Sequence, residues 1–225
     1  MIDWLPLWLS LRLAFVTTVI LLIAGIPLAW WLAYSRHRWT VAAEACISLP
    51  MVLPPSVLGF YLLIAFSPAG SFGHLLDHYF HLRLVFTFPG LVVASILYSL
   101  PFMVNPLLSG FRSLPPDLRE ASRTLGKSDW ITLWRILLPN IRPSLITGAI
   151  LSFAHTIGEF GVVMMIGGSI PGETKVASVA IYDEVQSINY PLANRYAAIL
   201  LAFSFLILLA VYAINHHYNR SKSIV

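Results

Sequence analysis

Charge is what this sequence has least of. Only 11% of its 225 residues are Asp, Glu, Lys or Arg, against 58% hydrophobic ones, and the mean hydropathy is +0.78. A soluble domain carries roughly a quarter charged residues, so a water-facing globular surface is excluded. Cysteine is nearly absent too: Cys46 stands alone in an apolar run, which rules out an intrachain disulfide and a cysteine-based metal site. No basic tail and no basic patch interleaved with aromatics is present, so the footprint of a nucleic-acid binder is missing. Nor does a nucleophile–base pair or metal cluster fall at one depth of the chain, and no enzyme active site or cofactor site is legible.

Long apolar runs take the place of what is missing. They predict an all-α fold: a polytopic membrane helical bundle forming one domain over 1–225. Its spans fall at about 13–34, 41–66, 89–111, 143–167 and 196–216, with a cytoplasmic helix-turn-helix at 117–139. Each run is long enough for a hydrocarbon core of ~30 Å at ~1.5 Å per residue, some with tilt. Orientation follows from the basic residues. With the N-terminus outside and the C-terminus inside, Arg36, Arg38, Arg112, Arg119, Arg123, Lys127, Arg135, Arg142, Arg220 and Lys222 are cytoplasmic. Arg12, Arg83, Lys175 and Arg195 are external, which is a positive-inside bias. The first basic cluster follows its apolar run rather than preceding it, so the first span reads as uncleaved.

One cytoplasmic stretch, "REASRTLGKSDWITLWRILLP", departs from the rest by its polarity and punctuation. Pro115 and Pro116 end the third span, and Asp117 three residues before Glu120 has the spacing of a capping box. Leu118, Ala121 and Leu125 predict a narrow apolar stripe, Gly126 a left-handed helix end, and Ser128 the cap of a second helix. That second helix is expected to present Ile131, Trp134 and Leu138 on one face and to stop at Pro139. By residues alone this is either an amphipathic connector at the membrane surface or a docking element for a soluble partner. Gly126-Lys127-Ser128 imitates the end of a phosphate-binding loop, but Ala121 occupies the position of its first glycine and the context is helical, so ATP binding is not expected here.

Glu120, Ala121, Gly126, Ile136, Leu138 and Pro139 stand at the spacing of the EAA motif of ABC-importer permeases, with Ser122 replacing the second alanine. The resemblance implies that 117–139 is the coupling element held in a groove of an ATP-binding subunit. "LPMVLPPSVLGFYLL" (49–63) and "GEFGVVMMIGGSIPGETKVASVAIYD" (158–183) further resemble the permeases of molybdate importers, the Ile170–Thr174 run most closely. Sulfate permeases share the Gly-Glu-Phe-Gly element and the coupling motif. The implied function is ATP-driven molybdate import by alternating access in the bacterial cytoplasmic membrane, with sulfate or tungstate as alternative oxyanions. The implied partners are two ATP-binding subunits and a periplasmic or surface-tethered molybdate-binding protein, received in part by the outer loop 169–194. One coupling motif and five spans are too little for a whole pathway, so a homodimer is expected. ATP hydrolysis would belong to the partner, and this chain would carry no catalysis or cofactor.

Within the spans, Pro50, Pro54 and Pro55 cannot share an uninterrupted helix, and non-helical backbone at membrane depth survives only inside protein or along a wet cavity. Pro101, Asn105 and Pro106 make a weaker case in the third span. Glu159 is an ionisable residue inside an apolar run, with His155 four residues earlier and in reach on a continuous helix. A carboxylate repels an oxyanion, so Glu159 reads as a structural tie or gate element rather than a ligand; proton coupling, as in an ion-driven transporter, is the rival. No lysine or arginine lies at the middle of a span, and a weak path is expected instead, with Pro54, Pro55, Ser56, Ser99, Asn105, His155 and Glu159 as its pore or gate candidates and Ser152 and Thr156 as further hydroxyls. His74, Asp77, His78 and His81 share one helical face with zinc-like spacing, but read more simply as the polar side of an interfacial helix. His216 and His217 read as interfacial.

Overall fold

A computed structural model describes residues 2–35 and 37–222, with 210–211 and 214–222 described by backbone alone. Arg36 and the side chains of His216, His217, Arg220 and Lys222 lie outside this description. Among the described residues the secondary structure is wholly helical. Three helices are long and apolar enough to cross a membrane: α1 (Leu5–Tyr34), α5 (Phe88–Arg112) and the last helix, and bent pairs raise the number to at most five.

Helix α1 begins well before position 13, because Pro6 in its first turn needs no backbone donor there. Its extra length brings Arg12 into the helix, where the guanidinium lies 4.4 Å from the centre of the half-buried Phe88 ring. Helix α2 (Thr40–Ser48) runs into a 3-10 turn at Leu49–Met51, and α3 (Pro55–Phe66) leaves at 108° to it. The expected span over 41–66 is therefore two short helices around an elbow. Pro54 is extended (φ −55°, ψ 135°), and neither Pro54 nor Pro55 has an N–H to continue the ladder. A short exposed helix, α4 (Ser71–Phe80), follows. In α5, by contrast, Pro101 and Pro106 leave a single unbroken helix capped by the Thr87 hydroxyl, so the weaker case for interruption there does not hold.

The polar stretch after α5 forms α6 (Pro116–Thr124), α7 (Asp129–Thr132), a wide π turn at Leu133–Leu137 and α8 (Leu138–Asn140). The chain then bends by 82° into α9 (Arg142–Gly158). The expected helix over 143–167 breaks at Glu159 and Phe160 before α10 (Gly161–Gly167). Helix α11 (Ala177–Gln186) lies in the segment between α10 and the last helix, and α12 (Tyr190–Lys222) starts earlier than 196.

Two apolar clusters make the core. The inner one joins Leu21, Ala29, Leu32, Met103, Leu107 and Phe111 to Leu133, Leu137 and Leu138 of the π turn and α8 and to Ile141 after them. The outer one joins Leu9, Leu13 and Leu91 to Val162, Val163 and Ile166 of α10 and to Val176 and Val179 of the outer segment. Along α1 and α5 the buried Thr17, Ser95 and Ser99 fall between the clusters, opposite Ser152, Thr156 and Glu159. In a bilayer no hydrophobic gain separates helix from lipid, so close approach through small residues carries the packing. Gly110 packs on Ser144, and Gly148 on the Met103 backbone.

A tighter but local approach is Gly90, where an added Cβ would lie 1.6 Å from the carbonyl oxygen of Leu84 in the turn that precedes α5. Gly90→Ala is expected to cost more than ~3 kcal/mol and to abolish the monodisperse peak of the detergent-solubilised chain. Gly158→Ala, with nothing within 4 Å, is expected to keep that peak.

Candidate functional site

The polar helix-turn-helix at 117–139 is built by its two ends. Gly126 adopts φ +69°, and its N–H donates to the Arg123 carbonyl while Lys127 N–H donates to that of Ser122. These are the two bonds of a Schellman cap, which requires the left-handed residue. Ser128 accepts from the Ile131 N–H as the sequence predicts. The capping box does not form: Pro115 holds the cap position of α6, and Asp117 lies inside its first turn.

The faces also differ from the expected ones. The π turn inserts one residue into the helical register, so Leu133, Leu137 and Leu138 all turn inward, whereas Ile131 and Trp134 are exposed. Pro139 does not end the helix, which continues to Asn140, where the side-chain amide donates to the Ile136 carbonyl at 2.7 Å. Of the motif residues, Glu120, Ala121 and Gly126 are exposed, Ile136 and Pro139 half-buried and Leu138 buried. Ala121 and Leu118 line a cleft of roughly 520 Å³ with Leu114, Pro115, Asp117 and Asn140. Leu125 beside it is 75% exposed and Trp130 60%.

Polar bonds lock the element internally. Thr132 Oγ1 donates to the Ser128 carbonyl at 2.9 Å, so the contact of 2.7 Å between Ser122 and Thr132 takes its proton from Ser122. Ser122 is buried, and its hydroxyl joins α6 to α7 where an alanine would not. Arg123 and Arg119 both reach Asp129, at 3.2 and 3.7 Å. The hydrogen bond from Arg123 holds the Asp129 carboxyl below the usual carboxylate range. Arg119 also lies over the Tyr34 ring, 4.7 Å from its centre, and Tyr34 donates to the Phe111 carbonyl at 3.3 Å. Motion of α6 is thereby tied to α1 and α5.

A second site lies where the chain's two elbows meet. Gly161 opens α10 directly against Pro55, and an added Cβ there would come within 2.5 Å of the Pro55 Cβ. Pro54, Pro55 and Ser56 are exposed beside it. Glu159 is buried at the elbow, and its carboxylate accepts from Ser95 of α5 at 3.3 Å. Its other oxygen, Oε1, is enclosed without a partner of hydrogen-bonding geometry, although the Val163 N–H of the first turn of α10 lies near the carboxylate. No ion pair to a lysine or arginine compensates it among the described residues.

The expected His155–Glu159 bond is not made. Helix α9 ends at Gly158 and Glu159 is extended (φ −70°, ψ 133°), so the four-residue register is lost. His155 instead meets Ser99 through Nδ1 at 2.9 Å and stacks on Phe102, 3.9 Å between ring centres. Thr156 donates to the Ser152 carbonyl at 2.8 Å, which leaves Ser99 to donate to Thr156 at 2.9 Å and to accept from His155. The chain of hydroxyls therefore fixes the ring proton on Nδ1. Asn105 stands apart on α5, against Met51 of the first elbow. Sequence reasoning missed Ser95 and Ser178, though Ser95 sits one helical turn before Ser99. Among the described residues no group of His, Cys, Asp or Glu can hold a metal: His81 caps α4 in a left-handed conformation, and Asp77 is taken by Arg83.

The substitution that restores the common motif tests the lock. Ser122→Ala is expected to cost about 1 kcal/mol of stability, because Thr132 keeps its donor bond and loses one it accepts. Ser122→Val, which overfills the buried site, is expected to cost more, as thermal unfolding in detergent would show.

Residues 25–223 match the family of binding-protein-dependent transport system inner membrane components. The chain is 48% identical, over 94% of its length and 93% of the relative's, to a molybdenum transport system permease protein of Azotobacter vinelandii. It is 33% identical to a sulfate transport system permease protein of Escherichia coli, over 94% of this chain and 76% of that one. In fold it is similar to a chain of a bacterial ABC transporter that imports alginate, with TM-score 0.76, 18% identity and coverage of 95% and 78%. A chain of the inward-facing methionine ABC transporter gives TM-score 0.71 at 18% identity, with 94% of each covered. The chain belongs to the family of inner-membrane components of binding-protein-dependent transport systems.

Proposed function

We propose that this chain is the membrane-spanning subunit of an ATP-driven importer for molybdate. The carrying observation is the 48% identity to the Azotobacter vinelandii molybdenum permease over nearly the whole of both chains. In this reading two copies form the pathway, and each offers α6 and α7 to an ATP-binding subunit. Exposed Ala121, Leu125 and Trp130 supply an apolar contact surface there, and the cleft under Ala121 gives it a concave side. The buried face of the same element is continuous with the inner core, so a push from the ATPase reaches α1 and α5 as rigid-body motion. Substrate passes between the copies from an extracytoplasmic binding protein.

The sulfate reading keeps one specific support. The Escherichia coli sulfate permease is 33% identical to this chain, and the Escherichia coli molybdenum permease 32%. The substrate is therefore settled by transport. With the chain, its ATP-binding subunit and its binding protein in liposomes, labelled molybdate uptake is expected to require ATP and to survive a protonophore. An excess of sulfate should leave most of it intact. Uptake that sulfate abolishes would move the assignment to sulfate, and uptake that the protonophore abolishes while ATP is present would overturn the ATP-driven reading. Gly126→Pro cannot adopt the positive φ and loses the bond to Arg123, so it is expected to lose the co-purifying ATP-binding subunit.

A further inference from the structure

Of the three long spans, α12 is the least covered by the rest of the chain, and it packs on α9 and α11. A polar tie joins it to the start of α1. The Tyr196 hydroxyl donates to the Asp3 carbonyl at 2.8 Å and accepts from the Asp3 N–H at 3.2 Å. Beside this tie a cleft of about 280 Å³ opens between the two helices. Trp4, Trp8 and Leu11 line it from the α1 side, Leu200 and Phe203 from α12, and Ile157 from α9.

The chemistry of the walls selects what can fill the cleft. Its side chains are aliphatic or aromatic apart from Ser10. That hydroxyl is already used in both directions: it donates to the Pro6 carbonyl at 3.0 Å and accepts from the Ala177 N–H at 2.8 Å. A trapped water would find too few partners here. Left empty, the cleft would forfeit dispersion contacts along both helices. It opens onto apolar surface, since Trp4 and Trp8 are 64% and 62% exposed, and Phe15, Leu201 and Phe205 continue the exposed faces of the same two helices. Both helices are long and apolar enough to cross a membrane, so what reaches the mouth of the cleft is hydrocarbon.

A cation stands at the same end. Arg195 precedes Ile199, another lining residue, by four positions, which places both on one side of α12. It is exposed and belongs to none of the ion pairs among the described residues. Its neighbours in charge are engaged elsewhere: Arg12 lies over the Phe88 ring, and Lys175 is paired to Asp183 at 2.8 Å. Exposed tryptophan and tyrosine mark the headgroup level of a bilayer, and Trp4, Trp8 and Tyr190 are exposed where α1 and α12 begin. Arg195 follows Tyr190 by little more than one turn.

We propose that the cleft between α1 and α12 is a phospholipid site, with one acyl chain against Leu11, Leu200 and Phe203 and the phosphate held by Arg195. The lipid completes the packing of α12 on α1 below the Tyr196–Asp3 tie. This requires only that both helices cross a bilayer, and it holds whatever the cargo is.

Native mass spectrometry of the full chain tests it, after dilution from phosphatidylglycerol-containing micelles into lipid-free detergent. The wild type is expected to keep one phosphatidylglycerol per chain. Leu200→Trp fills the cleft from one wall and Leu11→Trp from the other, so one misfolded variant leaves the other to decide. Each is expected to keep about ten-fold less lipid, because the acyl chain loses its packing surface. Leu201→Trp, on the 75% exposed side of the same helix, should keep as much as the wild type. Arg195→Gln is expected to weaken phosphatidylglycerol retention several-fold, the loss of a charge-assisted bond to phosphate, and to leave retention of a diacylglycerol with the same chains unchanged. A wild-type chain that sheds all lipid overturns the site. So does equal retention by both filled variants, which would mean surface lipid only. A filled variant that turns a lipid-free dimer into a monomer gives the cleft to a second copy and overturns it too. Unchanged phosphatidylglycerol retention in Arg195→Gln overturns the assignment of the phosphate.

Discussion

A helix that breaks inside a bilayer frees backbone donors and acceptors that no water can satisfy, and the architecture around both elbows answers that demand. At the first elbow the chain places Pro54 and Pro55, which bring no donor to be orphaned, and Val52 and Leu53 both donate back to the Leu49 carbonyl. At the second, Glu159 N–H reaches the Thr156 carbonyl at 3.4 Å, and its own carbonyl is taken by Ser178. The elbows then pack on one another where Gly161 meets Pro55. The close approach depends on a residue without a side chain. A longer one at 161 would part α10 from α3 and leave both breaks open.

This arrangement divides the molecule into two apolar bodies with a polar layer between them. One body contains the polar stretch 117–139, and Leu133, Leu137, Leu138 and the following Ile141 make it continuous with α1 and α5. The other contains α10 and the start of α11. Ser95, Ser99, Thr156 and Glu159 lie where the bodies meet, on α5, on α9 and just past the end of α9. A uniform apolar core would resist relative movement only by shape. Directed hydroxyl bonds in this layer define a particular register of α5 against α9, and a change of register must exchange them.

How much of this was legible in the sequence depends on the residue. The all-helical membrane fold followed from hydropathy, and the turn of the coupling element followed from Gly126 and Ser128, whose roles are local and carried by their own chemistry. The faces did not follow, because one residue added by a π turn reverses which of Trp134 and Leu137 points inward. A sequence window has no means of seeing that extra residue. Pro54 and Pro55 announced their elbow, whereas Pro101 and Pro106 announced one that α5 does not have: the first pair is adjacent and both lack donors, the second pair is separated and flanked by helix held on two sides. Glu159 was found by its cost, but its partners Ser95 and Ser178 were not. Serines at membrane depth are too common to single out until the fold brings them against a broken helix.

We propose that the polar element at 117–139 is where an ATP-binding subunit holds this membrane chain. Cross-linking from a single introduced cysteine tests it most directly, in a Cys46→Ser background because Cys46 is free and exposed. Ala121→Cys, on the exposed side of α6, is predicted to cross-link to the co-expressed ATP-binding subunit, while Val185→Cys, at an exposed position of α11, does not. A cross-link from Val185→Cys, or none from Ala121→Cys in a complex that remains assembled, would contradict the account.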